Sequence, residues 1–442
     1  METDGERGDG LLATLRQFLA LERDVLVLSI AMFAFSLGFQ MTNRYVPRYM
    51  SVLGAGAVAI GLFGTFGNLT SAIYPYPGGA VSDRIGSRLA LTLFGVASTV
   101  GFVIWLFADL FGTVLVPPVG TTGELFGREF VVGWLEPASI PVGIFLGLVF
   151  AQAWKSFGLG ATFAIVKQAV EPDRLATGFA STETFRRTAF LLGPLLAAGV
   201  LTAFAFETGF RIILAVAAAF GLGATIAQRY LYDASGDTLG KSFEGVSTVV
   251  ADLKAMPEEL RPLLVADTLV RFANGMVYVF LVIVVTEYLA VGASLQGVGR
   301  ISPDAYFGVL LAIEMLVALL IMIPVSRLSR RVGLKPVVAL GFAVYAIFPV
   351  LLIYAPANAT VLALLFAFSG LRVAGLPAHK ALIVGPAKAG TGGRVTGSYY
   401  RVRNVVVIPS AAVGGAVYAV SPESAFLGAT AIGVAGVALF LL

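Results

Sequence analysis

Long apolar stretches alternate with short polar segments from residue 25 to the end of the chain. Each stretch holds roughly the 20 mostly apolar residues that a helix needs to cross a bilayer. The pattern therefore predicts an all-α integral membrane protein. Its twelve predicted transmembrane helices lie at residues 25–47, 57–78, 89–109, 140–166, 178–205, 209–229, 262–288, 305–326, 336–355, 359–384, 395–420 and 423–442.

The first 24 residues differ from the rest of the chain. Residues 1–10 are polar, and no short apolar core with a cleavage site follows them, as a secretory signal would require. Leu11, Leu15 and Phe18 fall on one helical face. We therefore predict that residues 1–24 form a cytoplasmic segment with a short helix in the membrane interface.

The composition agrees with a membrane protein and excludes several other classes. Hydrophobic residues make up 58% of the chain and charged residues only 13%, with a formal net charge of +4. A nucleic-acid-binding protein would instead need clustered basic residues on a polar body. The chain has no cysteine and one histidine, so we expect neither a disulfide scaffold nor a metal or other cofactor site.

Lysine and arginine residues are distributed unequally between alternate loops. With both termini in the cytoplasm, 21 of the 30 basic residues lie on the inner side and five on the outer side. Such an excess of basic residues is typical of cytoplasmic loops. We therefore predict cytoplasmic N- and C-termini, which also requires an even number of spans.

A polar segment after the sixth predicted span divides the chain into two halves. We predict a six-helix bundle at 25–230, a cytoplasmic linker at 231–261 and a second six-helix bundle at 262–442. Short segments recur in the same order in both halves, such as 82–88 and 329–335. This repetition predicts parallel duplication, a recurring transporter design with the site between the halves.

Residues 79–88, between the second and third predicted spans, resemble the loop signature G-x-x-x-D-R-x-G-x-[RK] of the major facilitator superfamily. The resemblance implies the 6+6 helix fold and a loop that closes the cytoplasmic side. In the second half Ser326 and Arg330 replace the glycine and the aspartate of the signature. A loop that only sets the topology is the alternative interpretation. The implied gating residues are Gly79, Asp83, Arg84, Gly86 and Arg88.

Residues 190–199 are similar to the antiporter motif of the same superfamily, whose core is G-P-x-x-G-G. Gly193 and Pro194 match the core and would bend the helix, whereas Ala198 stands where the first closing glycine is expected. A face of small residues that lets helices pack closely explains the segment equally well. The motif therefore favours export only slightly.

Two basic residues lie near the middle of equivalent spans. Lys155 is in span four and Arg372 in span ten, and each is followed three residues later by a glycine. The resemblance implies that spans one, four, seven and ten line the central cavity. We therefore expect Lys155 and Arg372 to face each other and attract an anionic substrate. The alternative is a structural ion pair elsewhere in the bundle, because a charge in the bilayer needs a partner or a wet cavity.

Three further charged residues are candidates for transport. Glu314 is the deepest carboxylate, so we predict that it carries a coupling proton, with Asp267 as the next candidate. Asp267 and Arg271 are four residues apart on one helix face, which also permits a local salt bridge. Arg44, near the outer end of span one, would guide an anion inward or anchor the interface. The single histidine, His379, would serve a proton relay or face a polar neighbour.

These features predict a secondary active transporter that moves a small, possibly anionic, solute across the plasma membrane by alternating access. Proton-coupled export is favoured over uptake symport and over anion exchange. A membrane-embedded enzyme would need converging catalytic groups, and a sensor would need a soluble signalling domain, so both are weaker alternatives. The expected partners are the substrate, protons or another coupling ion, and lipid, with no nucleic acid. We expect a monomer.

Overall fold

The computed structural model describes residues 23–125, 128–134, 137–157, 162, 175–232, 258, 260–295, 299–373, 375–385 and 392–442. In the first half of the chain the helices are α1 (Arg23–Thr42), α2 (Val46–Val52), α3 (Ala57–Ile73), α4 (Pro75–Ile85), α5 (Ser87–Leu106), α6 (Val142–Ala151), α7 (Leu175–Ala203) and α8 (Phe206–Leu231). In the second half they are α9 (Leu260–Tyr278), α10 (Leu281–Ile283), α11 (Pro303–Val332), α12 (Leu334–Ile353), α13 (Ala359–Gly370), α14 (Leu376–Val384), α15 (Gly392–Val407), α16 (Ser410–Val420) and α17 (Pro422–Leu441).

The spans are helical because a bilayer offers no water to hydrogen-bond a free backbone, and a helix satisfies these backbone groups internally. Within the described ranges, eight helices are long and apolar enough to cross a membrane, or ten if two bent pairs each count as one span. These spans confirm the predicted all-α membrane architecture. The twelve-span count and the cytoplasmic termini stay predictions, and residues 1–22 and most of the linker lie outside the described ranges.

The two bent pairs have identifiable local causes. Helices α3 and α4 meet at 43°, next to Pro75 and Pro77, which cannot donate backbone hydrogen bonds. Helices α9 and α10 meet at 48°, and α10 continues as a π-helical turn at Val284–Tyr288. Such π-turns and prolines are common causes of kinks in transmembrane helices.

Short antiparallel strands, which the hydropathy pattern did not predict, form in two of the connecting segments. Strand β1 (Thr113–Val116) pairs with β4 (Ala138–Pro141), and β2 (Val119–Leu125) pairs with β3 (Arg128–Trp134). A third pair, β5 (Ala293–Leu295) with β6 (Gly299–Ile301), precedes α11. The first two pairs belong to the segment that connects α5 to α6, and the third belongs to the segment before α11.

Two helix pairs make the most extensive contacts between the halves of the molecule. Helix α7 packs against α11, and α3 packs against α16. In the second pair the backbones approach closely, because a Cβ on Gly61 would lie 2.8 Å from the Cα of Gly415. In the first pair, a Cβ on Gly308 would lie 2.6 Å from the Pro194 carbonyl oxygen. Small residues therefore set the distance between the halves.

Two glycine turns at equivalent places in the predicted halves have nearly the same backbone conformation. Gly86, between α4 and α5, has a φ of 86°, and Gly333, between α11 and α12, has a φ of 88°. Residues with a side chain rarely adopt this conformation, whereas glycine does so readily. The two turns occupy equivalent places in the segments 82–88 and 329–335, which supports the predicted duplication.

Candidate functional site

A cavity with two lobes lies between the two halves of the molecule. The lobe that contains Lys155 and Arg44 is called the first lobe. It has a volume of about 220 Å³. Its lining comes from α1 to α3, α9 to α11 and the residues that connect them, and from α6 with its π-helical continuation, Ala153–Phe157. Its polar lining residues include Asn43, Arg44, Asn68, Gln152, Lys155 and Tyr278.

A second lobe of about 230 Å³ adjoins the first. The two lobes share Gly64, Asn68, Tyr278 and Val279, so Tyr278 lies at their junction. The polar residues that line only the second lobe are Arg271, Asn274, Arg403 and Asn404. Both lobes are therefore lined by two cations each, and among the described lining residues there is no aspartate or glutamate.

The two cations of the first lobe lie against aromatic rings. The Lys155 Nζ is 4.2 Å from the centre of the Phe39 ring, and the Arg44 Cζ is 3.9 Å from the centre of the Tyr278 ring. Cation–π contacts contribute about 0.5–2 kcal/mol, depending on how far the cation is desolvated. Within the described ranges neither side chain forms an ion pair with a carboxylate. Both charges thus line the cavity with no carboxylate partner among the residues that the structure describes.

Lys155 owes its position to an irregular helix. The five residues Ala153–Phe157 form a π-helical turn at the end of α6. A π-turn changes the direction of the side chains relative to an α-helix and is frequent at functional sites. The sequence predicted a span here but not this turn, and residues 158–161, which include the glycine after Lys155, lie outside the described ranges.

Arg372 does not face Lys155 across the cavity, contrary to our expectation. It lies on the 3-10 turn Leu371–Val373, is buried, and pairs with the buried Glu314 of α11. Arg372 is not among the residues that line either lobe. A buried guanidinium is stabilised most by a carboxylate at contact distance, and Glu314 supplies it from the same half of the molecule. The ion pair that we considered as the alternative interpretation is the observed arrangement.

A second buried carboxylate, Asp267, lies at the centre of a polar network that joins α9, α14 and α15. Its Oδ2 accepts from Arg403 Nη1 at 3.1 Å and from the Tyr399 hydroxyl at 3.2 Å, and lies 3.3 Å from His379 Nε2. Its Oδ1 accepts from Arg271 Nε at 3.4 Å. The predicted Asp267–Arg271 salt bridge is thus present, but it is one contact of a larger network.

Sequence reasoning missed most of this network. From the sequence, Arg403 lies near one end of the predicted span 395–420, where an interfacial position explains it, and Tyr399 carries no signal of its own. The four-residue spacing of Asp267 and Arg271 could reveal only the contact within one helix. For His379, the structure shows the polar neighbour that we considered as one of two interpretations. In the described part of the chain, no group of three or more His, Asp or Glu side chains could hold a metal ion.

Arg48 joins the two halves at the end of the molecule that the predicted orientation places outside. Its Nη1 contacts Glu287, and its Nε donates to Asp304 Oδ1 at 3.0 Å. Ser51 also donates to Glu287, at 2.7 Å, and the Tyr45 hydroxyl donates to the Asp304 carbonyl oxygen at 3.1 Å. These contacts tie the two halves together at this end of the molecule. The sequence placed Arg48 in an outer loop without identifying its partners.

We expect Arg48→Gln to open this end of the molecule more often, because two ion pairs between the halves are lost. Each partly exposed pair contributes about 0.2–1 kcal/mol, so the loss of both should raise the population of the open state relative to the closed state about two- to thirtyfold. The chain has no cysteine, so a single cysteine introduced as Asn43→Cys can be labelled selectively. Because Asn43 lines the first lobe, its rate of labelling by a membrane-impermeant maleimide measures access to that lobe from outside.

The matched control for this experiment is Arg211→Gln. Arg211 pairs with Asp109 and Glu207, which belong to its own half. Labelling of Asn43→Cys should therefore stay unchanged in the control. Equal labelling rates in the Arg48 and Arg211 variants would show that the Arg48 contacts do not hold the cavity closed.

The residues of the predicted gating loop lie at the opposite end of the molecule. Gly79 is within α4, Asp83 and Arg84 are in its last turn, Gly86 forms the turn to α5, and Arg88 is in the first turn of α5. Asp83 is half-buried and Arg84 is exposed. The positive φ of Gly86 explains the glycine, whereas the gating role of the loop stays a prediction.

The predicted helix-bending motif lies within α7, which continues from Leu175 through Pro194 to Ala203. A Cβ on Gly193 would lie 2.8 Å from the Cβ of Gln40 on α1. Gly193 and Pro194 therefore mark the places where α1 and α11 approach α7 closely. This is the packing role that we considered beside the antiporter interpretation, and export stays a prediction.

Known proteins resemble this chain in sequence and in fold. No family model matches the chain. The chain is 21% identical over 417 residues to an uncharacterized MFS-type transporter of Methanocaldococcus jannaschii, covering 92% of this chain and 91% of the relative. It is 27% identical over 213 residues to an uncharacterized MFS-type transporter of Mycobacterium tuberculosis, covering 48% of this chain and 42% of the relative.

Solved structures share the fold at low sequence identity. The nucleoside transporter NupG has a TM-score of 0.69 and 13% identity, over 94% of this chain and 98% of that one. A POT family transporter in complex with 5-aminolevulinic acid has a TM-score of 0.69 and 15% identity, over 95% of both chains. A bacterial homologue of the iron transporter ferroportin, in an inward-facing state, has a TM-score of 0.68 and 13% identity, over 96% and 98%.

These similarities agree with the predicted fold and with the 79–88 signature. The similar proteins are transporters, so a transporter is confirmed over a membrane-embedded enzyme. The chain is a multi-pass membrane transporter of the major facilitator superfamily type.

Proposed function

We propose that the chain transports a small anionic solute across the cell membrane by alternating access. The observation that carries this proposal is the pair Lys155 and Arg44, which line one lobe between the halves without a carboxylate partner in the described ranges. A solute that bears a carboxylate or phosphate group would complete this charge arrangement.

The physical argument rests on the environment of the two cations. A charged side chain within the bilayer is unfavourable by at least about 2.5 kcal/mol unless it has a partner or water. Attraction between opposite charges is also stronger where the effective dielectric constant is lower than that of water. An anion in the first lobe would therefore gain more from Lys155 and Arg44 than it would from the same groups in solution.

Polar side chains around the cations would orient the anion. Asn43, Asn68 and Gln152 line the same lobe, and amide groups donate hydrogen bonds to carboxylate or phosphate oxygens. The POT family transporter with a similar fold holds 5-aminolevulinic acid, which has a carboxylate group. That ligand belongs to the other protein and also has an ammonium group, but it supports the view that this fold accommodates small molecules with a carboxylate.

Alternating access requires that each end of the cavity opens in turn. The contacts of Arg48 with Glu287 and Asp304 join the halves at one end, and the loop at 79–88 lies at the other. We propose that breaking the Arg48 contacts and closing the loop end converts one state into the other. Glycines at the α3–α16 and α7–α11 contacts would allow the two halves to rock against each other.

We further propose that proton movement drives transport, with Asp267 and Glu314 as the candidate proton carriers. Both carboxylates are buried in the second half and contact arginines. Asp267 also contacts His379, which supports it over Glu314 as the site where a proton could be exchanged. Export from the cell is the direction that we favour, on the resemblance of 190–199 to the antiporter motif.

Lys155→Gln should lower the affinity for a small anion by about tenfold or more, because a charge-assisted hydrogen bond contributes about 1.5–3 kcal/mol. Lys155→Arg should retain part of the affinity. The measurement is the thermal stabilisation of the purified protein by a panel of carboxylates and phosphate esters, beside matched neutral and cationic compounds. The control is Lys380→Gln, since Lys380 is exposed on α14 and lines neither lobe.

The same panel can contradict the proposal. Stabilisation by cations or neutral compounds, without stabilisation by any anion, would exclude an anionic substrate. Anions that stabilise the protein then enter a transport assay in liposomes with and without an imposed pH gradient. A rate that does not respond to the gradient would favour anion exchange over proton coupling.

A further inference from the structure

The second lobe has its own set of anion-binding groups, separate from those of the first. Its two cations are Arg271 and Arg403, and its amide side chains are Asn274 and Asn404. The only carboxylate that contacts either arginine in the described ranges is Asp267, which is fully buried behind them. Two guanidinium groups thus share one carboxylate, and the lobe keeps a net positive charge.

The hydrogen bonds of these groups leave donors for a ligand. Asn404 Oδ1 accepts from Arg403 Nε at 3.2 Å and from Arg403 Nη2 at 3.0 Å. This arrangement fixes the Asn404 amide so that its nitrogen is left to donate elsewhere. Arg271 Nη1 donates to the Tyr345 hydroxyl at 3.1 Å, which holds that guanidinium beside the lobe. Guanidinium and amide groups together are a strong donor set for carboxylate and phosphate oxygens.

The two lobes meet at Tyr278. Arg44 lies on the ring of Tyr278, and the same residue lines the lobe that contains Arg271 and Arg403. Gly64, Asn68 and Val279 are also shared, so the described residues between the lobes carry no charged side chain. A ligand that reached from one cation pair to the other would therefore place an uncharged part beside Tyr278.

We propose that the second lobe binds a second anionic group, so that the substrate is a small organic dianion whose two charged groups lie one in each lobe. This inference rests on the proposed function and extends it to a substrate class. A dicarboxylate with a short carbon chain, or a molecule with one carboxylate and one phosphate, has the required chemistry.

The test compares molecules with one and with two anionic groups on the purified full-length protein at constant ionic strength, and molecules with two such groups are called dianions. Butyrate is the monoanion, succinate, glutarate and adipate are the dicarboxylates, and 3-phosphoglycerate carries both kinds of group. Affinity is measured from the concentration dependence of thermal stabilisation. We expect at least one dianion to bind about tenfold or more tightly than butyrate, because the second group gains its own charge-assisted hydrogen bonds.

Variants of the second lobe separate this inference from the proposed function. Arg403→Gln should reduce dianion affinity to that of butyrate and leave butyrate binding unchanged, whereas Lys155→Gln should weaken both. Asn404→Ala and Asn274→Ala keep every ion pair with Asp267, so they test the lobe if Arg403→Gln does not fold. They should each weaken the dianion alone, by about threefold to tenfold. Arg261→Gln, at an exposed ion pair, is the control.

Two outcomes would overturn the inference in different ways. If butyrate binds through Lys155 and no dianion binds more tightly, the proposed function stands and the second lobe is not an anion site. If no anion of the set stabilises the protein, both the inference and the proposed function fail. A preference for the dicarboxylates over 3-phosphoglycerate, or the reverse, would identify the second anionic group.

Discussion

Glu314→Gln should lower the free energy of unfolding by about 3–5 kcal/mol, because it leaves the Arg372 guanidinium buried without a counter-charge. Both side chains of this pair are only 8% exposed, so water cannot replace the lost carboxylate. The measurement is thermal or denaturant unfolding of the purified protein in detergent. The expected loss of stability applies to every transport state in which Glu314 and Arg372 stay paired.

A double variant makes this experiment specific to the pair. In Glu314→Gln with Arg372→Gln neither charge is left alone, and we expect most of the lost stability to return. The control is Glu258→Gln, which removes an exposed pair with Arg261 and should change stability by about 1 kcal/mol or less. Equal losses in the single and double variants would contradict a buried charge pair.

The double variant also tests Glu314 as a proton carrier. Since it should be stable, its transport can be measured without the folding defect of the single variant. A proton carrier at Glu314 predicts that the double variant loses its response to an imposed pH gradient while exchange between equal compartments persists. A normal response to the gradient would leave Asp267 as the candidate.

Asp267→Asn should reduce transport turnover about tenfold or more while anion binding is retained. In the folded protein Asp267 is the carboxylate that Arg271, Arg403 and His379 share. Once it is neutral, the two guanidinium groups have no internal counter-charge after the substrate leaves. Release of the anion then becomes less favourable, because the bound anion is the remaining partner of both cations.

Turnover and binding must therefore be measured on the same preparation of Asp267→Asn. Transport in liposomes gives the turnover, and thermal stabilisation by the anion panel gives the affinity. Asp109→Asn is the control, since Asp109 forms a partly exposed ion pair with Arg211 far from the cavity lining. Wild-type turnover in well-folded Asp267→Asn protein would exclude a role for this carboxylate in the transport cycle.

The fold and the presence of charges within the bilayer could be predicted because they depend on local patterns. The length of the apolar stretches predicts membrane helices, since every backbone group must be satisfied within its own segment. The glycine at position 86 could be assigned to a turn because few residues other than glycine adopt its φ of 86°. Lys155 could likewise be identified as a candidate, since a cation in a span needs a partner or a cavity.

The partners of these charges could not be predicted in the same way. Glu314 and Arg372 are 58 residues apart, and Arg48 is more than 230 residues from Glu287. Helical periodicity tells which residues share a face of one helix, but not which face of another helix it meets. Small differences in the rotation of a helix therefore decide whether a cation lines the cavity, as Lys155 does, or pairs with a buried carboxylate, as Arg372 does.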